Sequence, residues 1–240
     1  MKKTAILLFA ICTSFAMNAQ ITTPQPSPAA TVKQVVGLSD VILEYSRPAM
    51  RGRTIFGDLV PYNKLWRTGA NKNSIITFST DVTVSGKDLK AGSYAIFTSP
   101  GESVWEITFY SDTENWGTPQ SWDASKVAAI VKANPIKTAD KVESFTIGIN
   151  EITDNGAHLE LSWDHTKVAI PFEVPTDATV MTAIEKVMAG PGAGDYYASA
   201  VYYMNSGKDI SKAKEWMDKA MSMTEKPAYW QLRQQSLIYA

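Results

Sequence analysis

Residues 46–71 read SRPAMRGRTIFGDLVPYNKLWRTGAN and carry Arg47, Arg51, Arg53, Lys64 and Arg67 against one acid, Asp58. Arginine presents a planar fork of N–H donors that grips a carboxylate, phosphate or sulfate through two parallel hydrogen bonds. Gly52, Gly57 and Gly69 permit tight turns that can aim backbone N–H groups at the same anion. Trp66 lies in this stretch, and Trp116 and Trp122 lie in a second turn-rich one, ENWGTPQSWD. An indole displayed on a loop can stack on the apolar face of a sugar ring. The candidate ligand-binding residues are therefore Arg47, Arg51, Arg53, Arg67, Trp66, Trp116 and Trp122, for an anionic small molecule or a glycan. A structural role competes with this one. The arginines can close a long crossover by donating to strand-end carbonyls and by pairing with Glu44, Asp58 or Asp81. IFG, LVPY and LW can act as apolar plugs, and loop tryptophans can fold back over apolar surface.

Catalytic chemistry has less to stand on. In AHLELSWDH an alternating strand places His158, Glu160, Ser162 and Asp164 on one face, with Leu159, Leu161 and Trp163 on the other. His158 and Glu160 could transfer protons or ligate a metal, but the polar outer face of an antiparallel strand gives the same pattern. His165 falls in a hairpin turn. The sequence contains no HExxH, GxSxG, P-loop or EF-hand motif. Carboxylates such as Glu44, Asp58, Asp81, Glu102 and Glu106 are scattered singly, whereas a glycosidase needs two of them roughly 5–10 Å apart across a cleft. No catalytic residue, metal site or cofactor is assigned. A hydrolase using Glu or Asp with His158 is the alternative to a non-catalytic binding module.

The compartment follows from the first residues. MKKTAILLFAICTSFAMNAQ opens on Lys2 and Lys3, runs apolar from Ala5 to Ala16 and ends in small residues. This is the pattern of a secretory signal over residues 1–19, cleaved after Ala19 or Ala16. Cys12 follows Ile11, not the small residue that lipid attachment requires. The expectation is an exported protein, periplasmic or secreted. Of 23 Lys and Arg, removal of the signal takes Lys2 and Lys3, leaving 21 against 24 acids and a net charge of −3. That balance excludes bulk nucleic-acid binding by charge alone. The single cysteine leaves with the signal, which excludes thiol catalysis and cysteine metal sites. No later apolar run reaches the length of a membrane span.

Residues 20–30, QITTPQPSPAA, read as a Pro-rich tether. From 31 to 175 the apolar residues recur with period two: DVILEYS, SIITFS, DVTVSG, AGSYAIFTSPG, SVWEITFYS, SFTIGINEI and AHLELSW–DHTK–VAIPFEV. The last is two strands joined by a polar turn. Seven to nine half-buried antiparallel strands form a sandwich or barrel. Residues 126–138, KVAAIVKANPIKT, fit helix or strand. After Pro175 the period becomes helical, with four amphipathic segments over 176–240. The fold class is thus α+β, an antiparallel β-sandwich followed by a short α-helical tail.

The later helices resemble tetratricopeptide repeats. Ala213 and Ala220 stand seven apart, Tyr203 and Trp216 supply bulk, and Pro227 punctuates. Arg233 stands where that repeat expects glycine, and only about one and a half units are visible where solenoids need about three. The tail should therefore dock on the sandwich, pair with a protein partner or belong to a longer parent, with Ala240 not a natural domain end.

The stretch from YSRPAMRGRTIFGDLVPYNKLWRTGAN through NSIITFSTDVTVSGKDLKAGSYAIFTSPG is similar to the signature of the domain of unknown function 2911, a family of exported bacterial proteins. The resemblance continues through WEITFY, NWG and VESFTIGI to LELSWDHTKVAIPFEV and covers roughly residues 31–175. It implies export and a β-rich domain, with no established activity and no catalytic residues. Asn63 stands where members often have glycine, and related tails usually add another helix or two.

Overall fold

The protein is described by a computed structural model covering residues 23–188 and 190–240. The signal-sequence reading of residues 1–19 lies outside the described residues. Ten strands follow in order: β1 (Ala29–Val36), β2 (Ser39–Ser46), β3 (Ser74–Phe78), β4 (Val82–Val84), β5 (Lys87–Leu89), β6 (Gly92–Ser99), β7 (Trp105–Tyr110), β8 (Val127–Ala133), β9 (Ile136–Thr153) and β10 (Gly156–Glu173). They form a six-stranded sheet, β1-β2-β3-β6-β7-β8, and a four-stranded sheet, β5-β4-β10-β9. Neighbours in both sheets pair antiparallel.

Alternation builds the core. Val41, Leu43 and Tyr45 of β2, Trp105, Ile107 and Phe109 of β7, and Phe145, Ile147 and Ile149 of β9 all fall into one buried cluster between the sheets. Residues 127–133 settle as strand: Ala129 and Val131 are buried, Ala128 and Ile130 exposed, and the segment pairs with β7. Pro135 has no N–H for the ladder and marks the crossing from one sheet to the other. β1 begins at Ala29, inside the span read as a tether. As an edge strand it shows weak apolar alternation, and its pairing with β2 carries it.

Alternation fails on one outer face. Ala95, Phe97 and Tyr110 are buried there with Val127 against them. The cover is Trp122, whose ring stacks on Tyr110 at 4.5 Å and meets Phe97 edge-on at 5.4 Å.

β10 reverses at Asp164–His165. The Val174 N–H donates to the Asn155 carbonyl at 2.9 Å, although an extended run between them would span about 60 Å. Asp164 takes φ +53° at the tip. The polar turn read between LELSW and VAIPFEV is therefore present inside one named strand. β9 pairs along the arm that begins at Gly156 and, through register shifts, reaches Thr166 and Lys167 beyond the turn, while β4 pairs with Phe172 and Glu173 of the returning arm.

Four helices complete the described chain: α1 (Thr176–Val187), α2 (Ala193–Asn205), α3 (Ile210–Ser222) and α4 (Tyr229–Tyr239). Their core is separate, built on Ile184, Ala200, Ala213, Trp216, Met217 and Ile238. Ala213 and Ala220 are both buried, and Tyr203 meets Trp216 edge-on at 4.7 Å. Asp209 caps α3 by accepting from the Ser211 and Lys212 N–H groups. The Asp177 carboxylate of α1 accepts from the Tyr202 hydroxyl and pairs with Lys208 at 2.9 Å. Among the described residues no helix is long and apolar enough to cross a membrane.

Candidate functional site

The crossover from β2 to β3 lies across one end of the sandwich because it bonds to both sheets. On one side Met50 N donates to Glu143 O and Phe145 N to Pro48 O, each at 2.9 Å, which bridges Ala49 to Ser144 of β9. On the other, Trp66 and Thr98 of β6 exchange both backbone bonds, at 2.7 and 2.9 Å. Asn63 N donates to Pro100 O at 2.7 Å. Asn63 itself has φ +58°. Glycine adopts that conformation freely, and asparagine is among the side chains that tolerate it best.

The apolar plugs enter the core as aromatic contacts. Trp66 stacks on Trp163 at 5.9 Å with 15° between the planes and meets Phe145 at 5.2 Å. Phe56 sits edge-on to Trp105 at 5.0 Å and to Trp163 at 6.4 Å.

The four arginines divide by what their guanidinium groups touch. Arg47 donates through Nε to Phe145 O at 3.1 Å and through Nη2 to Thr146 Oγ1 at 2.7 Å. Arg53 donates through Nε to Met50 O at 2.8 Å and through Nη2 to Ala49 O at 2.6 Å, closing its own turn. Arg51 gives one bond, from Nη2 to Pro26 O at 2.9 Å. Arg67 gives one long bond, from Nη1 to Asn71 O at 3.4 Å. A guanidinium carries five N–H donors, so Arg51 and Arg67 keep most of theirs. Among the described residues no carboxylate pairs with any of the four.

Two adjoining hollows open between the crossover and its neighbours, of about 430 and 330 Å³, and both are lined by Leu59, Val60, Trp66 and Arg67. The larger adds Lys64, Trp116 and Thr118. The smaller adds Arg51, Arg53, Trp163 and a strap at Pro26 and Ser27. Every ionisable side chain lining either hollow is a cation. The strap is held in place: Asn71 Nδ2 donates to Ser27 O at 3.1 Å and Arg47 N to Pro28 O at 2.9 Å. Of the candidate residues, Arg51, Arg53, Arg67, Trp66 and Trp116 come together. Arg47 and Trp122 lie outside the groove, the first spent on β9 and the second on the outer sheet face.

Trp116 is 75% exposed, yet its loop is braced from behind. Asn73 is 3% exposed. It donates from Nδ2 to Gly117 O, accepts from Asn115 N at Oδ1 and donates from its own N to Asn115 O, each at 3.1 Å. Lys72 pairs with Glu114 at 3.1 Å and Lys126 with Asp112 at 2.7 Å. Loop tryptophans ordinarily bury their apolar rings. Here one indole is held in water at the mouth of a cationic groove.

The Asp112 brace is pH-dependent. The Lys126 ammonium, and then the Glu114 N–H, hold its carboxyl below the usual aspartate range, against some desolvation. A depressed folded value means the brace is intact above the unfolded value of about 3.9 and is lost as pH falls through the folded one. The Trp116 indole NMR signal is therefore expected to keep its position from neutral pH down to the aspartate range and to move only below it. Asp112→Asn should displace it already at neutral pH. A wild-type signal that moves between about pH 5 and 7 would mean that another group holds the loop.

His158 and Glu160 share a sheet face, but no hydrogen bond joins them among the described residues. Glu160 is 8% exposed and engages both oxygens, accepting from Asn150 Nδ2 at 2.7 Å and from Lys167 Nζ at 3.0 Å. The His165 Nδ1 lies 3.0 Å from Thr138 O. Among the described residues no three His, Cys, Asp or Glu side chains are grouped to hold a metal.

Lys64 enters the groove from the cationic stretch itself, whereas Trp163 and the strap join it without a motif to announce them. Trp163 is in phase with the core, and the strap precedes the crossover by some twenty residues. The family model described as Protein of unknown function (DUF2911) matches residues 27–172. Searches of the curated proteins and of the solved structures returned no match. The matched span begins in the strap at Ser27 and includes the crossover and the Trp116 loop. The match covers more than half of the chain, which therefore belongs to the DUF2911 family of proteins of unknown function.

Proposed function

We propose that this chain is a non-catalytic binding module that holds an anionic ligand in the groove between the crossover and the Trp116 loop. The observation that carries this reading is the lining: Arg51, Arg53, Lys64 and Arg67, with no acid, beside an exposed and braced tryptophan. Cations without counter-charges in a concave, partly apolar site favour a ligand that supplies the missing negative charge. Arg67 is the centre, since it lines both hollows and has one long internal bond. Glu160 and His158, already described, lend no support to a hydrolytic site.

A thermal-shift screen over carboxylates, phosphates and sulfated sugars tests the proposal. The expected result is a ligand that raises the melting temperature of the wild type and binds Arg67→Ala about 10- to 100-fold more weakly, the loss of one charge-assisted hydrogen-bond set. Full binding by a folded Arg67→Ala variant would remove the groove from consideration.

A further inference from the structure

We infer that the groove accepts a chain of carboxylated sugars, an oligouronate, lying across both hollows. The inference rests on the reading of the groove as a binding site and names its ligand class. Three features lead to it.

The first is shape. The hollows share Trp66 and Arg67, and Trp116 stands in one while Arg51 and the strap stand in the other. An elongated ligand with repeating units is the kind that can use both, and each engaged unit raises the effective concentration of the next.

The second is the kind of surface. Trp116 offers an open indole face for the C–H face of a pyranose ring. The free fork of Arg67 matches the planar carboxylate borne on such a ring. One sugar acid thus satisfies an aromatic and a cation placed side by side.

The third is what the lining lacks. A neutral sugar presents hydroxyls that need side-chain acceptors as well as donors. No Asp, Glu, Asn or Gln lines either hollow, and Ser27 and Thr118 are the hydroxyl side chains. Cations dominate where a neutral-sugar site would place amides and carboxylates. A single-stranded nucleic acid also combines rings with negative charge, but it relies on a basic track along its backbone. This chain carries a formal net charge of −1, and its four groove cations form a pocket-sized patch.

The test is calorimetric titration of the full chain with oligogalacturonates of two and six units. Controls are the methyl-esterified hexamer, a hexameric oligo-dT and inorganic sulfate. The hexamer is expected to bind about ten-fold or more tightly than the dimer, and esterification should remove at least about ten-fold of that affinity. Trp116→Ala and Arg51→Gln, at the two ends, should each weaken the hexamer by about ten-fold while leaving the melting temperature near that of wild type. Equal binding of the ester, or tighter binding of oligo-dT or sulfate, overturns the oligouronate and leaves a groove that binds something else. If none of the anions binds, the binding reading falls with it.

Discussion

Trp163→Ala is expected to lower the unfolding free energy by about 3–5 kcal/mol, read from the urea midpoint at unchanged m-value. Trp163 is 2% exposed. Its ring meets Phe56, Trp66 and Phe145 at centroid distances of 6.4, 5.9 and 5.6 Å, so alanine would leave a cavity beneath the crossover. Its indole N–H donates to Glu143 O at 3.2 Å, the same carbonyl that accepts from Met50 N. Trp163→Phe therefore keeps most of the packing and leaves that carbonyl with one donor, at a cost of about 1 kcal/mol from the lost bond. The near-UV circular dichroism of the alanine variant should weaken, since Trp66 loses its stacked partner. A midpoint change worth less than about 1 kcal/mol for Trp163→Ala would show that the aromatic cluster does not hold the crossover down.

Gly37→Ala is the second large effect, and its cause is backbone geometry. Gly37 has φ +54° at the first position of the two-residue turn between β1 and β2, where turns of this sign call for glycine. A Cβ there would stand 2.2 Å from Asp154 O and 1.9 Å from Thr176 Oγ1. Left-handed backbone costs an alanine about 1–2 kcal/mol, and relief of the overlap adds about 1–3 kcal/mol. The total expected is about 2–5 kcal/mol. Gly52→Ala is the control. It has φ +73° with open space around the added methyl, so it should show the first cost alone. Denaturation midpoints that agree for the two variants would mean that the tip of the β1–β2 turn does not press on the start of α1.

The sandwich was legible because half-buried strands leave a period of two that no helix reproduces. Residues 126–138 were ambiguous because alanines suit both states; for 127–133 pairing with β7, a non-local fact, decides. The groove was legible in part. Trp116 and Trp122 sit six residues apart in one turn-rich loop, with the same local signal. What separates them is distant: Tyr110 and Phe97 lie under Trp122, and Asn73 holds the backbone that carries Trp116. The arginines divide for the same reason. The partners of Arg47 lie 98 and 99 positions away, at Phe145 and Thr146, and alternation does not encode which carbonyl a long side chain will reach. Glu160 shows the limit of reading faces alone. The reversal of β10 brings Lys167 back beside it, and a carboxylate expected in solvent becomes half of a mostly buried ion pair.

The brace behind Trp116 has a consequence for how a ligand would be met. All three Asn73 bonds are made to the chain's own Asn115 and Gly117 backbone, so folding alone supplies them. The entropy of ordering this loop is therefore lost once, during folding, and not again at each encounter. A ligand has only the two torsions of the indole left to freeze there. The loop that carries Trp116 is thus shaped by folding, before any ligand arrives.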